Sequence, residues 1–288
     1  MLRYLYCFCY SILLCYPTYS QTTDTLRYVF FGHTYAGGEP DGKRVDFRLE
    51  AMNMQQFDRI WLGGDIGAET DLNYSNLAYL DTIFDLKKAG NHWALGNHDT
   101  RNENIEWIEE FSGKERYYAY TEHSITTIVM DGNISPLDCE NLNKQFELIK
   151  QVCDTISQGY LIFLVHHGIA TDVPGVASPL SYAHTELQNW LPNCYSDTLN
   201  YANSIYPLLQ KVESRGVDVF HITGDVGSYY KQYHGISDHG VEYLAAGLGN
   251  GYRILQGLPI HAPDVAIVFT HILPNNQLSW EFVLINDL

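Results

Sequence analysis

Short apolar runs that end in glycine and then in a polar side chain recur along the chain. Five of these runs predict β-strands: residues 26–31, 59–62, 92–95, 160–165 and 217–223. Longer segments with helical periodicity lie between them, at residues 45–57, 74–88, 104–111, 142–156 and 205–215. This alternation of strands and helices predicts an α/β fold.

A second group of strand-like runs follows without long intervening helices. These runs are residues 117–120, 125–131, 241–245, 265–271 and 278–285, and they predict a second, more antiparallel sheet. Residues 169–204 have little periodicity, and a loop of that length is typical of a lid or binding loop. Candidate substrate contacts there, or anchors of the loop, are Tyr182, His184, Trp190 and Tyr195.

Each of the first five predicted strands is followed by a candidate ligand. Ligands bind at the carboxyl ends of strands in α/β folds. We therefore expect the five polar clusters to share one edge of a sheet and to form a single site.

Composition narrows the range of functions. The 288 residues include 34 acidic and 17 basic side chains, a net charge of −17. Nucleic-acid binding needs a basic surface, so DNA or RNA is not an expected partner. A hydrophobic content of 45% provides ample material for a core and argues against disorder.

The first twenty residues predict a secretory signal peptide. Arg3 precedes an apolar stretch, and small residues follow it before Gln21. The apolar stretch is shorter than a membrane span, so we expect a secreted or periplasmic protein without a stable span after cleavage. Residues 21–288 then form a single domain with the lid-like insertion. A Cys139–Cys153 disulfide and buried free thiols are both open.

Asp65, Asn97, His166 and Asp225 each follow one of the predicted strands. Together they offer two carboxylates, an amide oxygen and an imidazole. This mixed set of ligands is typical of sites for Zn, Mn or Fe. It differs from structural zinc sites, which are rich in thiolates, and from calcium sites, which use oxygen ligands alone. Each residue alone has an ordinary explanation as a turn or core residue, so the prediction depends on their joint placement.

Three blocks carry a family resemblance: Gly64-Asp65, Gly96-Asn97-His98-Asp99 and His166. A helix-capping turn would explain Gly96 and Asp99 but not the two residues between them. In order along residues 26–273, the blocks resemble those of the calcineurin-like metallophosphoesterase superfamily. The resemblance implies a four-layer α/β/β/α fold, with two packed β-sheets flanked by helices, and a two-metal centre.

Two blocks depart from the family pattern. His33 and Tyr35 stand where the family has Asp and His, and Asp225 and Gly227 stand where it has two His. The resemblance therefore implies one complete cation site and one altered site that retains His33. The exchanges at His33 and Asp225 are reciprocal, which is typical of a re-engineered centre rather than of decay.

Other polar residues have two interpretations each. Tyr35 and His167 are candidate substrate contacts, and the alternative for His167 is to support the site residues or to pack in the core. Asn250 lies in a glycine-rich stretch, residues 247–251, that could contact phosphate or form a close-packed turn. His221 lies within an apolar strand and is interpreted as a core histidine.

The resemblance implies hydrolysis of a small phosphate ester by a metal-activated water, with divalent Mn, Zn or Fe. It further implies that His98 stabilises developing charge or protonates the leaving oxygen, and that Asp99 orients the His98 ring. The alternative is a non-catalytic metal- or ligand-binding protein on a degenerate scaffold of the same family. The altered ligand positions favour that alternative, and the intact block around His98 opposes it.

Overall fold

The computed structural model describes residues 24–36, 44–184, 200–226 and 230–288. The predicted signal peptide, residues 1–20, lies outside these ranges, as do Gly227, Trp190 and Tyr195. The cleavage site and the single-domain boundary stay predictions.

Eleven strands form two mixed sheets within the described residues. The strands are β1 Thr25–Phe31, β2 Arg59–Leu62, β3 His92–Trp93, β4 Tyr118–Glu122, β5 Ile125–Val129, β6 Tyr160–Val165, β7 Asp218–Thr223, β8 Gln232–Ile236, β9 Glu242–Ala246, β10 Val265–Ile272 and β11 Gln277–Leu284. The first sheet has the order β11-β10-β1-β2-β3 and the second has the order β4-β5-β6-β7-β9-β8.

The strands that carry the polar clusters are divided between the two sheets. β1, β2 and β3 are parallel neighbours in the first sheet, whereas β6 and β7 are parallel neighbours in the second. The prediction that all five clusters share one sheet edge is therefore wrong. The second group of predicted strands does not form a second, more antiparallel sheet either. Its members are divided between the two sheets, and each sheet contains both parallel and antiparallel pairs.

The core confirms a four-layer architecture of two packed sheets flanked by helices. Tyr28 and Phe30 of β1 face an apolar layer between the sheets, while Val29 and Phe31 face helices on the outer side of the first sheet. This alternation follows from the two-residue repeat of a strand that is covered on both faces. The second sheet packs its own outer face against another set of helices.

Seven helices lie around the sheets in the described residues. They are α1 Phe47–Ala51, α2 Tyr74–Phe84, α3 Ile105–Ser112, α4 Cys139–Thr155, α5 Tyr201–Ser204, α6 Tyr206–Glu213 and α7 Gly251–Leu255. The helix predicted over residues 45–57 is interrupted, because Met52 is extended and Asn53 caps a separate 3-10 turn, Met54–Gln56. None of the described helices combines the length and apolar character that crossing a bilayer requires.

The state of two cysteines decides between the alternatives that the sequence leaves open. Cys153 is a buried free thiol in α4, and Cys139, at the start of the same helix, is disulfide-bonded. The structure therefore excludes the Cys139–Cys153 disulfide, one of the two alternatives that the sequence leaves open, and shows a buried free thiol at Cys153.

Candidate metal centre

Glycines allow the turns of the two sheets to meet. A Cβ on Gly224, after β7, would lie 1.9 Å from the carbonyl oxygen of Gly63, after β2. A Cβ on Gly64 would lie 2.6 Å from Nδ1 of His166, after β6. No side chain fits at such distances, so glycine is required where the first sheet meets the second.

Two candidate ligands adopt left-handed backbone conformations. His33 has φ +54° and Asp65 has φ +52°, and the His33 N–H donates to the carbonyl of Gly64 at 3.1 Å. Side chains other than glycine rarely occupy this region, and such strain clusters at functional sites. The backbone thus holds His33 Nε2 at 3.5 Å from Asp65 Oδ2.

His166 is fixed by a hydrogen bond on one side of its ring. Its Nδ1 lies 2.6 Å from the Gly63 carbonyl, so Nδ1–H donates, and in the neutral ring Nε2 carries the lone pair. That Nε2 lies 3.5 Å from Asp65 Oδ1 and 3.9 Å from Asp225 Oδ1. A backbone carbonyl that orients the far nitrogen is a common arrangement for a metal-binding histidine.

Asp65, His166 and Asp225 fit a divalent cation. One ligand atom from each lies within 4.8 Å of the others, and all three residues are buried. His166 Nε2 has no hydrogen-bond partner among the described residues. Burial opposes the charged form of His166, but the Asp65 and Asp225 carboxylates raise its pKa above the usual value. Two buried carboxylates around a bare imidazole nitrogen form a site that a cation would neutralise.

His98 lies beside this cluster and is partly exposed. Its backbone N–H donates to Asp65 Oδ1 at 2.9 Å. Its ring Nδ1 lies 3.0 Å from the Ala68 carbonyl, and its Nε2 lies 2.9 Å from an Arg101 guanidinium nitrogen. Asn97, one residue earlier, is exposed at the same turn.

Asp99 has a different position from the one expected. Its carboxylate is fully buried and does not orient the His98 ring, which Ala68 and Arg101 hold instead. It accepts five hydrogen bonds, from the backbone N–H groups of Asp65, Ile66 and Gly96, from Thr70 Oγ1 and from Trp93 Nε1. Asp99 therefore connects the turn after β2 to the turn after β3.

Tyr35 packs between two histidines at the site. Its ring centroid lies 4.7 Å from those of His33 and His98. Burial, and then the Asp65 carboxylate, raise the pKa of the Tyr35 phenol. Burial also lowers the pKa of His33 to about 3. The site therefore presents a neutral phenol, which is a weak cation ligand, and a neutral imidazole, which is a good one.

Three other predicted residues have structural partners. His167 is buried and packs edge-on against His166. The Asn250 amide donates to the Ala262 carbonyl at 2.7 Å, which favours the close-packed turn over phosphate contact. His221 stacks on Phe163 in the core, as predicted.

Sequence reasoning did not identify two residues as parts of the centre. His184 Nδ1 lies 3.7 Å from Asp225 Oδ1, although the sequence indicates only a substrate contact or a loop anchor at that position. Arg101 contacts His98, and its guanidinium also pairs with Glu69 at 3.0 Å. The only available signal for either was the residue type, because both lie in irregular segments.

Comparisons with known proteins give a shared fold and no family. No family model matches the chain, and no curated protein matches it in sequence. It is similar in structure to GAP50, described as the anchor in the inner membrane complex of Plasmodium. That match has a TM-score of 0.54 and 13% identity, and covers 91% of this chain and 85% of GAP50.

A second similar structure is a dimetal phosphatase from Danio rerio. It has a TM-score of 0.47 and 11% identity, and the match covers 85% of this chain and 95% of that one.

Proposed function

We propose that this chain hydrolyses small phosphate esters at a divalent-cation centre formed by Asp65, His166 and Asp225, with Asn97 beside them. The observation that carries the proposal is the convergence of these three buried side chains, within 4.8 Å of one another, next to a partly exposed histidine. A divalent cation bound there supplies a Lewis acid that polarises a phosphoryl oxygen and activates water.

His98 and Arg101 are the side chains of this chain that would bind the substrate phosphate and transfer a proton to it. The Arg101 guanidinium donates to His98 Nε2 at 2.9 Å, and its side chain is 42% exposed. A substrate phosphate would attract the guanidinium away from the imidazole. His98 Nε2, no longer accepting from Arg101, would first take up a proton from water and then transfer it to the leaving oxygen.

The net charge of −17 favours a small ester over a long polyanion, because repulsion from the rest of the protein grows with the charge of the substrate. A cation and Arg101 offset this repulsion locally for one phosphate group.

A non-catalytic metal- or ligand-binding scaffold is the second candidate. It is favoured by the Tyr35 ring, which packs between His33 and His98, and by the described role of GAP50 as an anchor. On this reading the cation would stabilise a binding surface that Tyr35 covers.

The test measures the rate of hydrolysis of one aryl phosphomonoester and one aryl phosphodiester. The protein is first treated with a chelator and then reloaded with Mn, Zn or Fe. We expect hydrolysis that requires a cation and that falls about 100-fold or more in Asp65→Asn. The exposed His261→Ala is the matched control. Turnover that survives chelation would contradict the proposal, and bound cation without turnover of either ester would favour the scaffold.

A further inference from the structure

His184 is held against the centre by the packing of its neighbours. The Tyr182 ring stacks on Tyr233, with centroids 4.0 Å apart. Tyr182 and Ala183 are buried in a small apolar cluster with Val226. The His184 N–H then donates to the Asp225 carbonyl at 2.8 Å. The backbone at His184 is thus fixed to the residue that already belongs to the cation site.

The His184 ring lies near both Asp225 and His33. Its Nδ1 lies 3.7 Å from Asp225 Oδ1, and its ring lies edge-on to that of His33 at 5.1 Å. One ligand atom each from His33, His184 and Asp225 lies within 4.8 Å of the others. His33 in turn lies 3.5 Å from Asp65 Oδ2.

Each carboxylate therefore lies between histidines. Asp65 has His33 near Oδ2 and His166 near Oδ1, and Asp225 Oδ1 lies near both His166 and His184. Ligand atoms around one tetrahedral cation with bonds of about 2.0–2.1 Å are separated by about 3.3 Å. The 3.7 Å between His184 Nδ1 and Asp225 Oδ1 is close to that value, and a ligand atom of His33 lies within 4.8 Å of both residues, so rotations of the side chains would complete a site.

We propose that His184, together with His33 and Asp225, forms a second cation position in the centre. His184 comes from the lid-like segment, residues 169–204. It would supply an imidazole that Tyr35 and Gly227, the residues at the ligand positions of the family pattern, do not. The two imidazoles and one carboxylate suit Zn or another borderline ion. This inference rests on the cation centre of the proposed function, but it does not require turnover.

The test counts the cations bound per chain. Chelated protein is titrated with Zn²⁺ alone in a calorimeter, and the metal retained after desalting is measured by elemental analysis. We expect two Zn²⁺ per wild-type chain and one in His184→Ala, with the weaker dissociation constant raised about 100-fold or more. His261→Ala, which removes an exposed histidine elsewhere, should retain two.

Circular dichroism checks that His184→Ala folds, which we expect because the His184 side chain is 33% exposed. Visible absorption of Co²⁺-loaded protein provides a second readout, since loss of an imidazole changes the spectrum of one ion and leaves the other intact. Two Zn²⁺ in His184→Ala, or one in both proteins, would overturn this inference and leave the proposed function standing. No Zn²⁺ in the wild type would overturn both.

Discussion

The Asp99 carboxylate accepts the backbone N–H of Asp65 at 2.7 Å, so the turn after β3 fixes the ligand turn after β2. The same oxygen accepts the N–H of Gly96 and the indole N–H of Trp93. A buried carboxylate that accepts several N–H groups satisfies donors that would otherwise be unpaired. Asp99 is thus a positioning residue for the candidate centre.

Asp99→Asn should destabilise the protein and weaken cation binding together. The asparagine amide would place N–H groups against the backbone and indole N–H groups that now donate to Asp99. We expect the free energy of unfolding to fall by about 3 kcal/mol. We also expect cation affinity to fall about 10–100-fold, because Asp65 loses its support. Urea unfolding and Zn²⁺ titration measure these effects. Asp154→Asn, at an exposed carboxylate paired with Lys211, is the control, and equal behaviour of the two variants would contradict the role of Asp99.

Gly64→Ala should be much more damaging than Gly113→Ala. Both glycines have positive φ, +86° and +70°, so both variants incur the backbone cost of about 1–2 kcal/mol. The added Cβ at Gly64 also meets His166 Nδ1 and the Ala94 carbonyl, whereas nothing lies within 4 Å at Gly113. Thermal unfolding should show the larger drop for Gly64→Ala, accompanied by loss of Zn²⁺ binding. Similar melting temperatures would contradict the close contact.

His98→Ala and Arg101→Gln should affect different kinetic constants. Loss of the proton-transfer group should lower kcat by about 10²–10⁴-fold, while loss of the exposed guanidinium should mainly raise KM. Steady-state kinetics on the aryl phosphate panel separates the two. The retained Zn²⁺ should be unchanged in both, because neither side chain belongs to the clustered ligands. An unchanged kcat in His98→Ala would exclude the proposed proton transfer.

Acid should destabilise the fold through its buried histidines. Burial lowers the pKa values of His92 and His221 to about 3, against about 6.5 in the unfolded chain. The unfolded state therefore binds more protons between these values, and the free energy of unfolding falls as pH decreases from about 6.5 toward 3, by about 1.4 kcal/mol per pH unit for each histidine. His166, with its raised pKa, acts in the opposite direction.

Urea unfolding of the wild type and of His221→Asn between pH 7.5 and 5 tests this. Asparagine retains an acceptor for the Tyr201 hydroxyl, which contacts His221 Nδ1 at 2.7 Å. In the variant, the free energy of unfolding should depend on pH less steeply than in the wild type, by the contribution of one proton. Parallel pH profiles for the two proteins would show that His221 does not contribute.

The local pattern predicted most elements but not their assignment to sheets. Strands such as Tyr160–Val165 were recognisable because apolar residues are continuous in a strand buried on both faces. Pairing depends on contacts between distant segments, which the pattern of one run does not contain. The edge strand Gln232–Ile236 was missed because its mainly polar or exposed residues lack an apolar repeat.

The candidate centre was predicted where short motifs specify it. Asp65, His166 and Asp225 follow strands and converge, and His33 lies with them. The role of Asp99 could not be deduced, since its partners come from the turns after two different strands. His184 could not be recognised either, because the packing of Tyr182 against Tyr233 places it and no periodicity signals that contact.

The glycine contact between Gly63 and Gly224 has a mechanical consequence. Asp65 belongs to the turn of one sheet, and His166 and Asp225 belong to turns of the other. A cation held by all three would join the two halves of the molecule at the point where their backbones already touch. Loss of that cation would therefore loosen the contact between the two sheets at this edge, beyond what the apolar layer between them already fixes.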